Sequence, residues 1–226
     1  MKKKILILTD SVGNPHPFFK KDATSLEDTF PFLIKNKFNK SQFHQISLGH
    51  ALSVVLMNQA RGYIQTWKPD YIIILAGIND CSPKFIAEKE KKLLFKYFLI
   101  NRMPEKIRAF FKNKIINNKK LSLIRSKPRI DISTFIKEIS SFQKSFKRSK
   151  ILWVEIFYGS NNKSNNKIMS NNISIFNKAI NSFKNIKLIK IRKELMKING
   201  VSKDNIHLNK KGHKLVASSI FKSFKN

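Results

Sequence analysis

Six residues from Tyr71 to Ala76, YIIILA, run without a charged side chain and consist largely of β-branched isoleucine. Successive strand residues point to opposite faces, so a strand apolar at every position must be covered on both sides. That requirement favours a parallel sheet enclosed between helices. Lys4 to Leu8 (KILIL), Ile151 to Ile156 (ILWVEI) and Ile186 to Ile191 repeat the pattern, and Phe43 to Leu48 (FHQISL) is a weaker, more polar strand. Between them the apolar period changes. Ala51 to Trp67 carries Leu52, Val55, Leu56, Ala60 and Ile64 at three- and four-residue steps, which predicts a helix. Pro69 and Asp70 then break the chain before the strand. Ser133 to Phe146, capped by Asp131 or Ser133, is expected to be helical, as are Ser170 to Phe183 and Lys210 to Phe224. Gly159 to Asn172 (GSNNKSNNKIMSNN) reads as a loop after the fourth strand. The alternation predicts an α/β fold with about five parallel strands, helices on both faces, and ligands at the carboxyl ends of the strands.

The chain has 226 residues, 42% of them hydrophobic, which suits a single domain over residues 1–226. Residues 91–129 stand apart as a basic, helix-like insertion. They hold 13 Lys or Arg and one acid, Glu105, among clusters such as Tyr97-Phe98-Leu99-Ile100. This is the composition of a basic amphipathic helix pair: a membrane-surface or polyanion-binding lobe, or a helical flap with solvated lysines. The single Cys81 leaves no partner for an internal disulfide, which fits a reducing compartment, and scattered histidines exclude a zinc site. The apolar run after Met1-Lys2-Lys3-Lys4 stops at Thr9, too short for a signal peptide, and no run is long enough to span a membrane. The expectation is a cytoplasmic protein, or one held peripherally at the inner membrane surface.

The formal charge is +31, from 45 basic and 14 acidic residues. Lysine-rich composition alone does not remove acids, so the imbalance points to an anionic partner, unless it is only a solvated surface. An anionic glycan, a lipid-linked glycan or an anionic membrane fits better than nucleic acid. Only 7 of the 45 cations are arginine, the residue on which bidentate base reading depends, and no nucleic-acid motif accompanies them.

Three short stretches carry chemistry. Thr9-Asp10-Ser11 follows the first strand, Gly77-Ile78-Asn79-Asp80 follows the strongest one, and Asp204 precedes His207 by three residues ahead of the last helix. A hydroxyl, an amide donor and an imidazole with a nearby carboxylate are the parts needed to attack an ester and hold the oxyanion. Each has a plainer reading. Asp10 orders a turn, Asn79 builds one, Asp80 caps the next helix, and His207 caps the last helix. His213 lies inside the last helix, where it packs or faces solvent. Ser11 and Asn79, both just past strand ends, are expected to face one crevice.

The α/β-hydrolase elbow G-x-S-x-G is absent. A serine after strand one, G-x-N-D after a central strand and D-x-x-H before the last helix together resemble the SGNH (GDSL-like) hydrolase family, over nearly the whole chain. The resemblance implies a three-layer α/β/α sandwich of flavodoxin-like type and a serine esterase or O-acyltransferase. Ser11 would be the nucleophile, His207 the base and Asp204 its orienting carboxylate. The Ser11 and Gly49 backbone N–H groups and the Asn79 side chain would form the oxyanion hole. No cofactor or metal is implied, with acetyl-CoA a co-substrate only for a transferase. The family's usual Gly-Asp-Ser is Thr9-Asp10-Ser11 here, a change expected to bear on substrate fit rather than on chemistry. The expected substrate is an acylated, anionic carbohydrate.

Overall fold

The computed structural model of the chain describes residues 2–17, 20–83, 127–159 and 164–225. Five parallel strands form one sheet: β1 (Lys4–Thr9), β2 (Gln42–Ser47), β3 (Tyr71–Leu75), β4 (Lys150–Val154) and β5 (Ile186–Ile189). Their order is β2-β1-β3-β4-β5, so the chain runs outward in one direction, returns to the centre and continues in the other. The reversal lies between β1 and β3, where a doubly wound sheet opens its crevice. The strand that reads as most apolar takes the central place. Ile72, Ile73 and Ile74 of β3 are all buried, whereas β2, at the edge, leaves Gln42, His44 and Gln45 exposed.

Helices cover both faces. On one, α1 (Phe30–Lys37) packs against the last helix α7 (Lys210–Lys225), with Phe38 meeting Phe221 and Phe224, and the short α6 (Arg192–Lys197) lies beside α7. On the other lie α2 (Ser53–Gln59), α4 (Ile132–Ser145) and α5 (Ser164–Asn181). Phe135 of α4 is fully buried between Trp153 of β4 and Phe176 of α5, with ring centroids 5.8 and 4.6 Å away. Truncating an aromatic at such a site costs roughly 3–5 kcal/mol. The expected helix over residues 51–67 starts at Ser53, then continues as a π turn (Ala60–Ile64) and a 3-10 turn (Gln65–Trp67).

The polar stretch expected to be a loop from Gly159 to Asn172 is largely helical, because α5 begins at Ser164. Met169, Asn172, Ile173, Phe176 and Ile180 supply one buried stripe at helical spacing. The inward-facing Asn172 donates from its amide to the Cys81 carbonyl at 2.9 Å, so burial leaves that donor satisfied. Packing thus overrides the poor helix propensity of an asparagine run.

The basic segment expected at 91–129 lies outside the described residues except at its end. The chain leaves at Pro83 and returns at Pro128, and these two residues form an antiparallel bridge. The Arg129 N–H donates to the Asp80 and Ser82 carbonyls, both at 3.0 Å. The excursion therefore begins and ends directly behind α3 (Ile78–Cys81), which follows β3. Among the described residues no helix is long and apolar enough to cross a membrane.

Candidate active site

β1 ends in a tight turn that presents Ser11 at the carboxyl edge of the sheet. The Asp10 carboxylate accepts from the Val12 N–H at 2.9 Å, and the Gly13 and Asn14 N–H groups donate to the Asp10 and Ser11 carbonyls. A side chain at Gly13 would collide with Thr9, which lies beneath it. Thr9 is fully buried, and its hydroxyl donates to the Asp10 carbonyl at 3.2 Å. The residue that departs from Gly-Asp-Ser therefore packs beneath the turn that carries Ser11. Asp10 orders the turn, as one reading of the sequence expected.

Asp204 and His207 share a second turn, ahead of α7. Asp204 Oδ1 accepts from the Ile206 and His207 N–H groups at 2.9 and 3.0 Å, while Oδ2 pairs with His207 Nδ1. Burial opposes ionisation of Asp204, but the hydrogen bond from the imidazole and those from the two backbone N–H groups outweigh it, holding its pKa down to about 2. A carboxylate only accepts, so Nδ1 carries the proton and Nε2 offers a lone pair. That Nε2 lies 3.1 Å from Ser11 Oγ. Three residues, separated by almost the whole length of the chain, make one line of hydrogen bonds from carboxylate to imidazole to hydroxyl.

Asn79 sits in the first turn after β3, where Gly77 takes a φ of +125° and a Cβ would strike Ile156. Its Nδ2 donates to the Ala51 carbonyl at 3.1 Å. The amide has a second N–H, and the bond to Ala51 fixes the loop that follows β2. Gly49 lies in that loop, exposed, just past the carboxyl end of β2, with Leu48 N–H bonded to the Thr9 carbonyl at 3.1 Å. Ser11, Gly49 and Asn79 thus follow three adjacent strands at the same edge of the sheet. Asp80, expected to cap the helix it begins, lies instead inside α3. Its carboxylate accepts from the Ser53 N–H and hydroxyl at 2.9 and 2.8 Å, closing the start of α2 from a distance.

His213 is fully buried on α7 and accepts from the Phe30 N–H at 3.2 Å, next to the Phe30 ring. Burial pushes its pKa down to about 4. It joins α7 to α1 and does not take part in the line of bonds to Ser11. Two features went unread in the sequence. Asp10 is fully buried, and loss of hydration raises its pKa to about 7, with the Val12 N–H and His207 opposing and Asp80 adding to the rise. His16 lies against His207, and its place in Asn14-Pro15-His16-Pro17, shortly after Ser11, was the available signal. Among the described residues no cluster of three or more His, Cys, Asp or Glu is placed to hold a metal.

The fold matches solved esterases. A lipase/acylhydrolase from Enterococcus faecalis superposes with a TM-score of 0.63 at 12% identity, over 99% of this chain and 95% of that one. An acetyl-xylooligosaccharide esterase from Geobacillus Stearmophilus gives 0.59 at 12%, over 98% and 94%. A psychrotrophic esterase from Pseudoalteromonas sp. gives 0.54 at 15%, over 99% and 97%. At these identities the likeness carries the architecture alone. No curated protein matches the chain by sequence. The family model for GDSL-like Lipase/Acylhydrolase, however, matches residues 23–220, a span that takes in Gly49, Asn79, Asp204 and His207 and begins after Ser11. With most of its length matched, the chain belongs to the GDSL-like lipase/acylhydrolase family.

Proposed function

We propose that this acylhydrolase works through an acyl-Ser11 intermediate, with His207 as general base and Asp204 as its orienting carboxylate. The observation that carries the reading is the 3.1 Å approach of His207 Nε2 to Ser11 Oγ, with Asp204 on the opposite ring nitrogen. Ser11 Oγ attacks the ester carbonyl carbon as its proton passes to His207 Nε2. The oxyanion is held by the Ser11 and Gly49 N–H groups and the Asn79 amide. Collapse breaks the C–O bond, and the leaving alcohol takes the proton from Nε2. Water then attacks the acyl group, gives its proton to Nε2, and the carboxylic acid departs as Ser11 is reprotonated. Asp204, ionised down to about pH 2, stabilises the imidazolium at both stages without taking its proton.

The substrate we favour is an acylated carbohydrate of anionic character. One structural neighbour is an acetyl-xylooligosaccharide esterase, and the chain's charge of +31 suits an anionic polymer. Among the described residues, Lys2, Lys3, Lys4, Lys68, Arg148 and Lys150 line one hollow of about 670 Å³ at the opposite end of the sheet from Ser11. If a sugar hydroxyl replaces water in the second step, with acetyl-CoA as donor, the same triad performs O-acetyl transfer. The other reading, of a polyanion- or membrane-binding protein, rests on the basic composition of residues 91–129.

Release of acetate from acetylated polygalacturonate and from neutral acetyl-xylan, compared with p-nitrophenyl acetate, tests this reading. Cleavage of all three that disappears in Ser11→Ala, and a preference for the acidic polymer that fades with salt, is the expected result. Full p-nitrophenyl acetate cleavage by Ser11→Ala would overturn the chemistry, and indifference to polymer charge would overturn the substrate class. Acetyl groups passing from acetyl-CoA to the glycan would assign the transferase.

A further inference from the structure

His16 touches both ends of the proposed proton path. Its Nε2 lies 2.8 Å from the carbonyl of Ser11, and its ring centroid lies 3.8 Å from that of His207, the planes tilted by 49°. A carbonyl can only accept, so Nε2 carries a proton and donates it to the backbone of the nucleophile. The same carbonyl accepts from the Asn14 N–H at 3.1 Å, so two donors fix the peptide that follows Ser11.

His16 is itself held. Its N–H donates to the Thr24 hydroxyl at 2.8 Å, and its carbonyl accepts from the Thr24 N–H at 3.2 Å. Thr24 is buried, so this pair of hydrogen bonds, one to its hydroxyl and one from its backbone N–H, anchors the segment that follows the Ser11 turn. Titratable groups near the ring include His207, the Asp204 carboxylate beyond it and the buried His213. Burial lowers the pKa of His16, which leaves the ring uncharged at neutral pH beside an imidazole that must become a cation during each half-reaction. An uncharged ring in that place avoids like-charge repulsion with the cation.

We infer that His16 is a positioning residue for the acyl-transfer reaction: it fixes the Ser11 peptide through its Nε2–H and backs the His207 ring through its face, so that Oγ and Nε2 stay in register. The inference rests on the triad reading above, and it assigns His16 no contact with the reacting atoms. Misplacing a nucleophile or base by about an ångström lowers the rate roughly a hundredfold without weakening substrate binding.

The test compares His16→Ala, His16→Gln and His16→Phe with Ser11→Ala, by kcat and KM on p-nitrophenyl acetate, by the rate at which a phosphonate ester labels Ser11, and by Tm. In His16→Ala, kcat and the labelling rate are expected to fall together by roughly 10- to 100-fold, with KM within about twofold of the parent. Gln keeps an N–H donor for the Ser11 carbonyl and Phe keeps a ring against His207, so each is expected to recover part of the loss. A kcat within about twofold of the parent in His16→Ala would overturn the inference. So would a loss of kcat accompanied by lowered Tm that neither Gln nor Phe relieves, which is the mark of a structural role. If Ser11→Ala keeps its activity, the triad itself fails. If Ser11→Ala is inactive and His16→Ala is not, only the role of His16 fails.

Discussion

His207 and His213 lie within one short stretch of chain, on either side of the start of α7, and their surroundings separate them completely. His207 is half-buried, with a carboxylate on Nδ1 and a serine hydroxyl on Nε2. His213 is fully buried, accepts from one backbone N–H, and among the described residues has no hydrogen-bond partner for its Nε2. The first has a carboxylate against its ring, while burial pushes the pKa of the second down to about 4. A side chain serves as a base when a charge and a substrate-side proton both face it, and proximity in sequence decides neither.

Four substitutions test this contrast. His207→Ala should lower kcat/KM by roughly ten-thousandfold while leaving Tm nearly unchanged. Asp204→Asn follows, with a loss of roughly 100- to 10,000-fold, because the amide no longer holds the imidazole in the required tautomer. Both are read from initial rates on p-nitrophenyl acetate. Asn79→Ala removes a proposed oxyanion donor and should lower kcat by roughly 100- to 1,000-fold. The same change frees the Ala51 carbonyl, so the loop after β2 should also gain amide hydrogen exchange. His213→Ala is expected to keep kcat and lose stability, about 1–3 kcal/mol for the orphaned Phe30 N–H and the void beside it. Thermal unfolding measures that loss directly, and a large fall in kcat would make the two histidines functionally alike.

The pH dependence of stability divides in the same way. His213 has a folded pKa of about 4 against an ordinary 6.5, so the unfolded chain binds more protons in that window. Its share of stability is present above pH 6.5 and is lost as pH falls towards 4. Asp204, at about 2 against 3.8, contributes above 3.8 and loses that contribution as pH falls towards 2. Asp10 runs the other way. With a folded pKa of about 7 it keeps its proton longer than the unfolded chain does, so stability declines as pH rises from about 4 to 7. Asp10→Asn should therefore raise Tm by several degrees at pH 8 and much less at pH 5, as followed by circular dichroism.

The strands and the order of the blocks were legible because their signals are local. An isoleucine run has only one way to be covered, and a D-x-x-H spacing places both groups on one turn. The start of α5 was hidden, since Ser164 onward reads as loop until Met169, Asn172 and Ile173 find the core and Asn172 finds the Cys81 carbonyl. Asp80 was misjudged for a related reason. It sits at a helix start and caps a different helix, α2, through Ser53. His16 was passed over because its partners, Ser11 and His207, are joined to it only by the fold. The contact of Thr9 with Gly13, as a buried strut beneath the turn, is likewise made only by the fold.

On the proposed mechanism, Ser11 carries the acyl group. This is tested most directly by mixing the protein with excess p-nitrophenyl acetate, quenching with acid within the first turnover, and mapping the peptides by mass spectrometry. One acetyl group on the peptide containing Ser11, absent from Ser11→Ala and slow to form in His207→Ala, is the expected result. An acetylated enzyme whose label lies on another residue, or the same labelling of Ser11→Ala as of the parent, would contradict it.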